Sequence, residues 1–246
     1  MKVTVLGSAA MFQRTDRAAS GYLVEMGGKR IWMDAGAGTW RNLIDRVHYR
    51  DLDGVILTHR HPDHVTDVFQ AFHALRYGSE EPMPRIPLWA PQETCGALID
   101  FVTAFDEAFD MRMVSAGDRI DVAGAEVSFF QMAHPPETLG VRIERDGAVL
   151  AYTADTGPTG DLAGLSRGAD VLICEATFQD SDPEWDGHLR ASEAGSIASA
   201  NGVKSLVLTH LPHERDLSLS LAQASKESGD TRVRLANDGL EIEVTA

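Results

Sequence analysis

The sequence predicts an α/β fold built as one domain. Short apolar runs recur along the chain and end in turn residues, as strands do. Stretches of helical period lie between many of them. No linker, low-complexity tract or long internal repeat divides the 246 residues.

Taken in order, residues 2–7 alternate and read as a first strand, followed by a polar loop over 8–20. Residues 22–26 and 30–33 form a hairpin turned by Gly27-Gly28-Lys29 and closed by Asp34-Ala35-Gly36-Ala37-Gly38. The glycines of that closing turn are too few to define a phosphate cradle. A helix near 39–48 leads to Val55-Ile56-Leu57, a buried strand. Residues 65–77 have the pattern of an amphipathic helix, and 78–87, rich in proline and charge, of a loop. A short strand over 87–90 precedes a helix over 94–108. Its Leu98, Phe101, Val102 and Phe105 share one face, either for core packing or as a wall over a substrate. Strands over 119–122 and 125–134 end at His134-Pro135-Pro136. A hairpin of 141–144 and 149–153, around Arg145-Asp146-Gly147, ends at Ala154-Asp155-Thr156-Gly157. Residues 162–167 read as helix, and 171–174 as a buried strand ending at Glu175. The loop 176–190 holds Trp185 and His188. Ser192 is expected to cap a helix over 193–200, stopped by Asn201-Gly202. A strand over 203–209 ends at His210; a helix near 217–227 and strands over 231–236 and 240–244 complete the chain.

Bulk properties bound the function. Hydrophobic residues make up 43% of the chain, ordinary for a soluble globular protein. No apolar run approaches the roughly 20 residues of a membrane span. The first seven residues, Met1 to Gly7, are too short an apolar run for a signal peptide. Cys95 and Cys174 are isolated, which argues against a disulfide framework or a CxxC site. These features favour the cytoplasm and no membrane. The formal net charge of −15 disfavours broad electrostatic binding to nucleic acid. Bound divalent cations would still make a local positive site for a phosphate.

The chemistry concentrates in Thr58-His59-Arg60-His61-Pro62-Asp63-His64, where three imidazoles and a carboxylate lie within six positions. His59 and His61, alternate residues of an extended loop, can point the same way. Asp63 and His64 come a turn later and can face a second point nearby. Neutral imidazole and carboxylate are the usual ligands of zinc, manganese or iron. His134, Asp155 and His210 each stand just beyond a strand, where a sheet presents a site.

THRHPDH at 58–64, His134, TADTG at 153–157 and LTH at 208–210 resemble the ordered motifs of the metallo-β-lactamase superfamily. The resemblance runs from Val3 to Val244. It implies a four-layer αββα sandwich, with two facing sheets covered by helices. It also implies two divalent metal ions, zinc first, with manganese or iron as alternatives. His59, His61 and His134 would hold one ion, Asp63, His64 and His210 the other, and Asp155 would bridge them, with a water or hydroxide between. Paired cations lower the pKa of bound water and stabilise charge on a phosphoryl oxygen. Asp34 is expected either to hydrogen-bond a metal-bound imidazole or to cap its turn.

Cys174-Glu175-Ala176-Thr177-Phe178 and 187–195, GHLRASEAG, resemble the phosphodiesterase branch that contains ribonuclease Z. In that reading His188, oriented by Glu175, assists phosphodiester cleavage, and Asp63 also serves catalysis. Ribonuclease Z typically carries a tRNA-gripping arm between its third and fourth motifs, whereas only 20 residues separate His134 from Asp155 here. The compact chain more resembles small bacterial phosphodiesterases, some of which cleave cyclic nucleotides. The expected substrate is a small or cyclic nucleotide diester, and a homodimer is consistent with the family. The alternatives are a tRNA 3′ endonuclease, a lactone or thioester hydrolase, and a noncatalytic metal-binding protein. Arg14, Arg17 and Arg60 could touch a nucleic-acid backbone or be ordinary surface charges. Trp89, Trp185 or the aromatic face of 98–109 could stack a base. His213 could line the site mouth or sit in a surface loop, and His48 and His73 have no assigned role.

Overall fold

Two seven-stranded sheets face one another, and helices cover the outer face of each. The computed structural model describes residues 1–81, 83–183 and 185–246. Pro82 and Glu184, in the loops expected over 78–87 and 176–190, lie outside the described residues.

The first sheet contains β1 (Lys2–Gly7), β2 (Gly21–Met26), β3 (Lys29–Ala35), β4 (Gly54–Ile56), β5 (Ile86–Ala90) and β6 (Phe109–Met113) in that spatial order. The second contains β7 (Arg119–Val122), β8 (Ala125–Gln131), β9 (Leu139–Arg145), β10 (Ala148–Tyr152), β11 (Val171–Glu175), β12 (Ser205–Thr209) and β13 (Arg232–Leu235), also in chain order. The final strand, β14 (Glu241–Glu243), returns to the first sheet and pairs with β1. The helices are α1 (Thr39–Ile44), α2 (Pro62–Val65), α3 (Val68–Tyr77), α4 (Gln92–Phe101), α5 (Leu162–Ser166), α6 (Ala191–Ala200) and α7 (Leu217–Glu227).

Each sheet begins with antiparallel hairpins and continues with parallel strands. A parallel pair needs a long crossover, so helical segments and loops fall between those strands and cover the outer faces. With both faces covered, the parallel strands lose the alternating pattern and become continuously apolar. Strand β11, Val-Leu-Ile-Cys-Glu, is buried at every position. The inner core joins Val24, Ile31 and Met33 of one sheet to Val141, Leu150 and Ile173 of the other. Separate outer cores lie under α1–α4 and under α5–α7. Ligands in α/β folds gather beyond the carboxyl ends of parallel strands, and the carboxyl ends of β3, β4, β10, β11 and β12 here carry the chemistry-bearing residues.

Several elements differ from the sequence expectation. The helix expected over 65–77 begins earlier, at Pro62, and is interrupted. Proline suits a first helical position because its missing N–H would have no helical partner there. The interruption falls at Asp67. Its N–H donates to the Ala35 carbonyl at 2.8 Å, outside the helix, and its carboxylate accepts from Trp40 N at 2.8 Å. The helix expected over 94–108 stops at Phe101. Phe105 then turns inward in a 3₁₀ turn and is fully buried, whereas Phe101 is 75% exposed. The chain continues into β6, which the charges of Phe-Asp-Met-Arg-Met hide from an apolar-run search. Ser192 does not cap α6; its hydroxyl donates to Asp180 at 2.6 Å. Arg190 takes the cap position, and its N–H donates to Glu193 at 2.7 Å.

One glycine ties the fold to the site. A Cβ built on Gly157 would lie 1.5 Å from the Asp186 carbonyl oxygen, so the loop carrying His188 packs on bare backbone. Gly157→Ala must displace main chain. We expect a loss of at least the ~1–3 kcal/mol typical of overpacking, read as a lower urea midpoint at unchanged slope.

Candidate dinuclear metal centre

The predicted site residues converge from six elements. His59 and His61 follow β4, and Asp63 and His64 lie in α2. His134 follows β8, Asp155 follows β10, Glu175 ends β11 and His210 follows β12. Two groups could each hold an ion: His59, His61, His134 and Asp155, and Asp63, His64, Asp155 and His210. Asp155 belongs to both. A third group, Glu175, His188 and His210, adjoins the second through His210.

The tautomers of four imidazoles follow from their buried partners. His64 Nδ1 donates to Asp34 Oδ2 at 2.7 Å, and His134 Nδ1 donates to the Gly187 carbonyl at 2.8 Å. The Thr58 hydroxyl gives its proton to Asp34 at 2.9 Å, so it accepts from His59 Nδ1 at 3.1 Å. The Thr177 hydroxyl likewise donates to Glu175 at 2.7 Å and accepts from His210 Nδ1 at 2.8 Å. In its neutral form each ring therefore turns its Nε2 lone pair inward. Such partners fix ring orientation and raise ligand basicity in metal sites.

Two of those nitrogens and one carboxylate oxygen have no hydrogen-bond partner among the described residues. His59 Nε2, His64 Nε2 and Asp155 Oδ1 are buried and make no hydrogen bond. The last two stand 3.2 Å apart without hydrogen-bond geometry. Around them, His134 Nε2 is 3.1 Å from His61 Nδ1, and His210 Nε2 is 3.2 Å from Asp63 Oδ2 and 3.5 Å from Asp155 Oδ2. His59 and His134 each approach Asp155 Oδ2 at 3.8 Å. Two ligand atoms at roughly 2.0–2.2 Å from a tetrahedral ion are about 3.3–3.6 Å apart. The observed separations bracket that range, and unpartnered buried groups are costly. The residues fit a pair of divalent cations.

The electrostatics agree. Burial drives His59 well below the ordinary imidazole pKa, and lowers His61 and His134 as well, keeping them neutral for coordination. Burial also opposes charge on His64, but the Asp155, Asp34 and Asp63 carboxylates outweigh it and raise its pKa well above the ordinary value. Burial would raise Asp155, yet His210 and His64 pull it well below the carboxylate range. The carboxylates thus favour positive charge, and a metal ion competes there with a proton.

Asp34 resolves its two expected roles. Besides His64 it accepts from Thr58 N at 2.8 Å, the Thr58 hydroxyl at 2.9 Å and the Tyr152 hydroxyl at 2.9 Å, all buried. It braces a ligand and joins the two sheets. Tyr152, Thr58 and Thr177 escaped sequence reasoning. Thr58 and Thr177 stand inside the motifs at 58–64 and 174–178 with no role assigned to them, but nothing in the sequence marks Tyr152.

Other expected residues fall elsewhere. Trp89 is buried beneath the Arg112 guanidinium and offers no base a face. His213 stacks on Phe12 at 3.8 Å and donates to the Ala10 carbonyl. His48 caps a 3₁₀ turn, and His73 sits on α3 against Phe72 and Tyr77.

Comparison with known proteins supports the class this geometry defines. The β-lactamase superfamily domain model matches residues 29–211. The probable metallo-hydrolase YhfI of Bacillus subtilis is 31% identical over 217 residues, covering 87% of this chain and 88% of the relative. Its crystal structure superposes with a TM-score of 0.90 at 28% identity over 98% of both chains. Ribonuclease Z of Archaeoglobus fulgidus is 25% identical over an alignment of 303 residues, covering 99% of this chain and 98% of the relative. A diphosphatase of the PhnP family shares the fold, with a TM-score of 0.79 at 23% identity, over 98% of this chain and 97% of that one. The chain belongs to the metallo-β-lactamase superfamily, in a ribonuclease Z-like branch. It is a metal-dependent hydrolase. Among the described residues, no helix is long and apolar enough to cross a membrane.

Loss of such a bracing carboxylate typically costs 10–100-fold in metal affinity. Asp34→Ala is expected to weaken zinc binding by about that factor, measured by competition with a chromogenic chelator.

Proposed function

We propose that this hydrolase cleaves phosphodiesters, with a small or cyclic nucleotide as substrate, using two zinc ions. His59, His61 and His134 would hold one ion, Asp63, His64 and His210 the other, with Asp155 shared. Bound there, the ions supply an activated water and neutralise charge growing on the phosphoryl oxygen.

The observation that carries this reading is the pair His188 and Glu175 beside both ligand groups. His188 Nδ1 donates to Glu175 Oε1 at 2.7 Å. Its ring centroid lies 5.0 Å from that of His134 and 5.2 Å from that of His210. The Glu175 carboxylate is fully buried and held by Thr156 N at 2.8 Å and by the Thr177 hydroxyl at 2.7 Å. Burial alone lowers the His188 pKa, but Glu175 outweighs it and the net shift is upward. His188 therefore keeps a proton that Nε2 can give to the departing alkoxide, while Glu175 fixes the ring and stabilises its charge. Thioester hydrolysis makes less use of an acid so placed, because a thiolate is a far weaker base than an alkoxide and departs without a proton.

Substrate size follows from the chain between His134 and Asp155. The β9–β10 hairpin fills most of it, and both strands pair within the sheet. The archaeal ribonuclease Z alignment spans 303 residues against 246 in this chain, whereas that with YhfI spans 217. The extra length belongs to the ribonuclease. A chain without it, at net charge −15, lacks the basic grip a long polyanion needs. The second reading, tRNA 3′ endonuclease, draws support from that alignment's full coverage.

Zinc-loaded protein is expected to hydrolyse bis(p-nitrophenyl) phosphate and cyclic AMP but not a tRNA precursor, with Asp63→Ala inactive. Cleavage at the tRNA 3′ end would favour the second reading. Turnover of lactones or thioesters alone would remove phosphodiesters from consideration. His188→Ala is expected to lower kcat by about 10²–10⁴, with KM little changed, in steady-state assays of the cyclic substrate.

A further inference from the structure

Trp185 is the one exposed tryptophan among the described residues, at 50%. Its ring stands at the edge of the centre. The centroid is 4.9 Å from His188, at an interplanar angle of 61°, and 6.0 Å from His134, at 84°. On the same side Phe178 meets it edge-on at 6.3 Å. These contacts are all edge-to-face, and among the described residues no protein ring lies parallel to the indole. Half of the Trp185 surface nonetheless stays exposed, which leaves the ring room for a further contact.

Gly187 makes the arrangement possible. A Cβ there would fall 2.5–2.8 Å from three carbons of the Trp185 ring. The bare backbone at Gly187 lets the indole fold back over the loop, and its carbonyl accepts from His134 Nδ1. One residue thus couples the pose of a ligand imidazole to the pose of an exposed indole. An ordinary surface tryptophan has no such tie to the reaction centre.

We propose that Trp185 is a specificity-determining residue whose open ring face stacks the nucleobase of the substrate. This rests on the phosphodiesterase reading above and specifies its substrate. The position points to the occupant: a planar group stacked there is attached to the phosphodiester held at the neighbouring centre, and among biological phosphodiesters the planar aromatic group is most commonly a nucleobase. An acidic chain gains little affinity from long-range attraction to a phosphate, whereas base–aromatic stacking contributes about 1–3 kcal/mol per base and accepts any base. The subsite therefore selects for a base without selecting which one.

The test uses zinc-loaded protein and two probes, adenosine 5′-monophosphate and ribose 5-phosphate, which differ by the base alone. The nucleotide is expected to quench the fluorescence of the exposed tryptophan, and ribose 5-phosphate is not. By calorimetry, Trp185→Ala should weaken the nucleotide about tenfold or more and leave ribose 5-phosphate unchanged, while Trp185→Phe should keep most of the affinity. In Trp185→Ala the quenching should vanish. Equal loss for both probes, an unchanged nucleotide affinity, or no quenching in the wild-type protein would overturn the stacking role. Any of these alongside turnover of bis(p-nitrophenyl) phosphate would leave the phosphodiesterase reading standing. Stacking without turnover of any phosphodiester would sink that reading and keep the subsite.

Discussion

The Asp155 carboxylate is the charge around which this molecule is assembled. It is buried at 2% exposure with the imidazoles of His59, His64, His134 and His210 all within 3.8 Å. Burying a carboxylate and several inward-facing lone pairs together is costly unless something positive joins them. The surroundings hold these groups in place. Nδ1 of four rings is occupied by a threonine hydroxyl, a carboxylate or a backbone carbonyl, which leaves Nε2 aimed at a common space. The backbone shares the cost. Asp34, Ala154 and His210 have φ of 56°, 53° and 48°, a left-handed conformation that non-glycine residues adopt only under constraint.

Those constraints reach across the whole fold because the clustered imidazoles and carboxylates come from both sheets. Asp34 ends a strand of the first sheet and receives the Tyr152 hydroxyl from the second. Tyr22 of the first sheet meets Thr209 of the second at 2.6 Å, one residue before His210. Close packing between the sheets then fixes the distances between the two ligand groups, since dense interiors transmit small displacements.

A second network connects His188 to His210. The Thr177 hydroxyl bridges Glu175 and His210, while Glu175 also receives His188. A change of charge at His188 therefore reaches His210 through three successive hydrogen bonds, by way of Glu175 and Thr177. Glu175 is held by main-chain N–H groups as well as side chains, so the network is rigid and its geometry does not depend on mobile surface groups.

Much of this was legible in the sequence by itself. Imidazoles and a carboxylate crowded into 58–64 define metal chemistry because few other uses require so many ligands so close together. Continuous apolar runs followed by Asp155, Glu175 and His210 mark strand ends that present a site, since burial on both faces leaves polar groups only beyond the strand. Local pattern could not place the break at Asp67 or the inward turn at Phe105, because each is decided by a partner distant in sequence or by packing, and the cap at Arg190, though closed by Glu193 three residues on, uses a residue type outside the usual capping set. The tertiary structure alone decided which imidazole nitrogen faces the centre, that Asp34 braces His64 while holding Tyr152, and that Gly187 seats Trp185 beside His134. Composition and spacing name the groups a chain can bring to a site. Their tautomers, distances and neighbours are set by contacts between residues that the sequence keeps far apart.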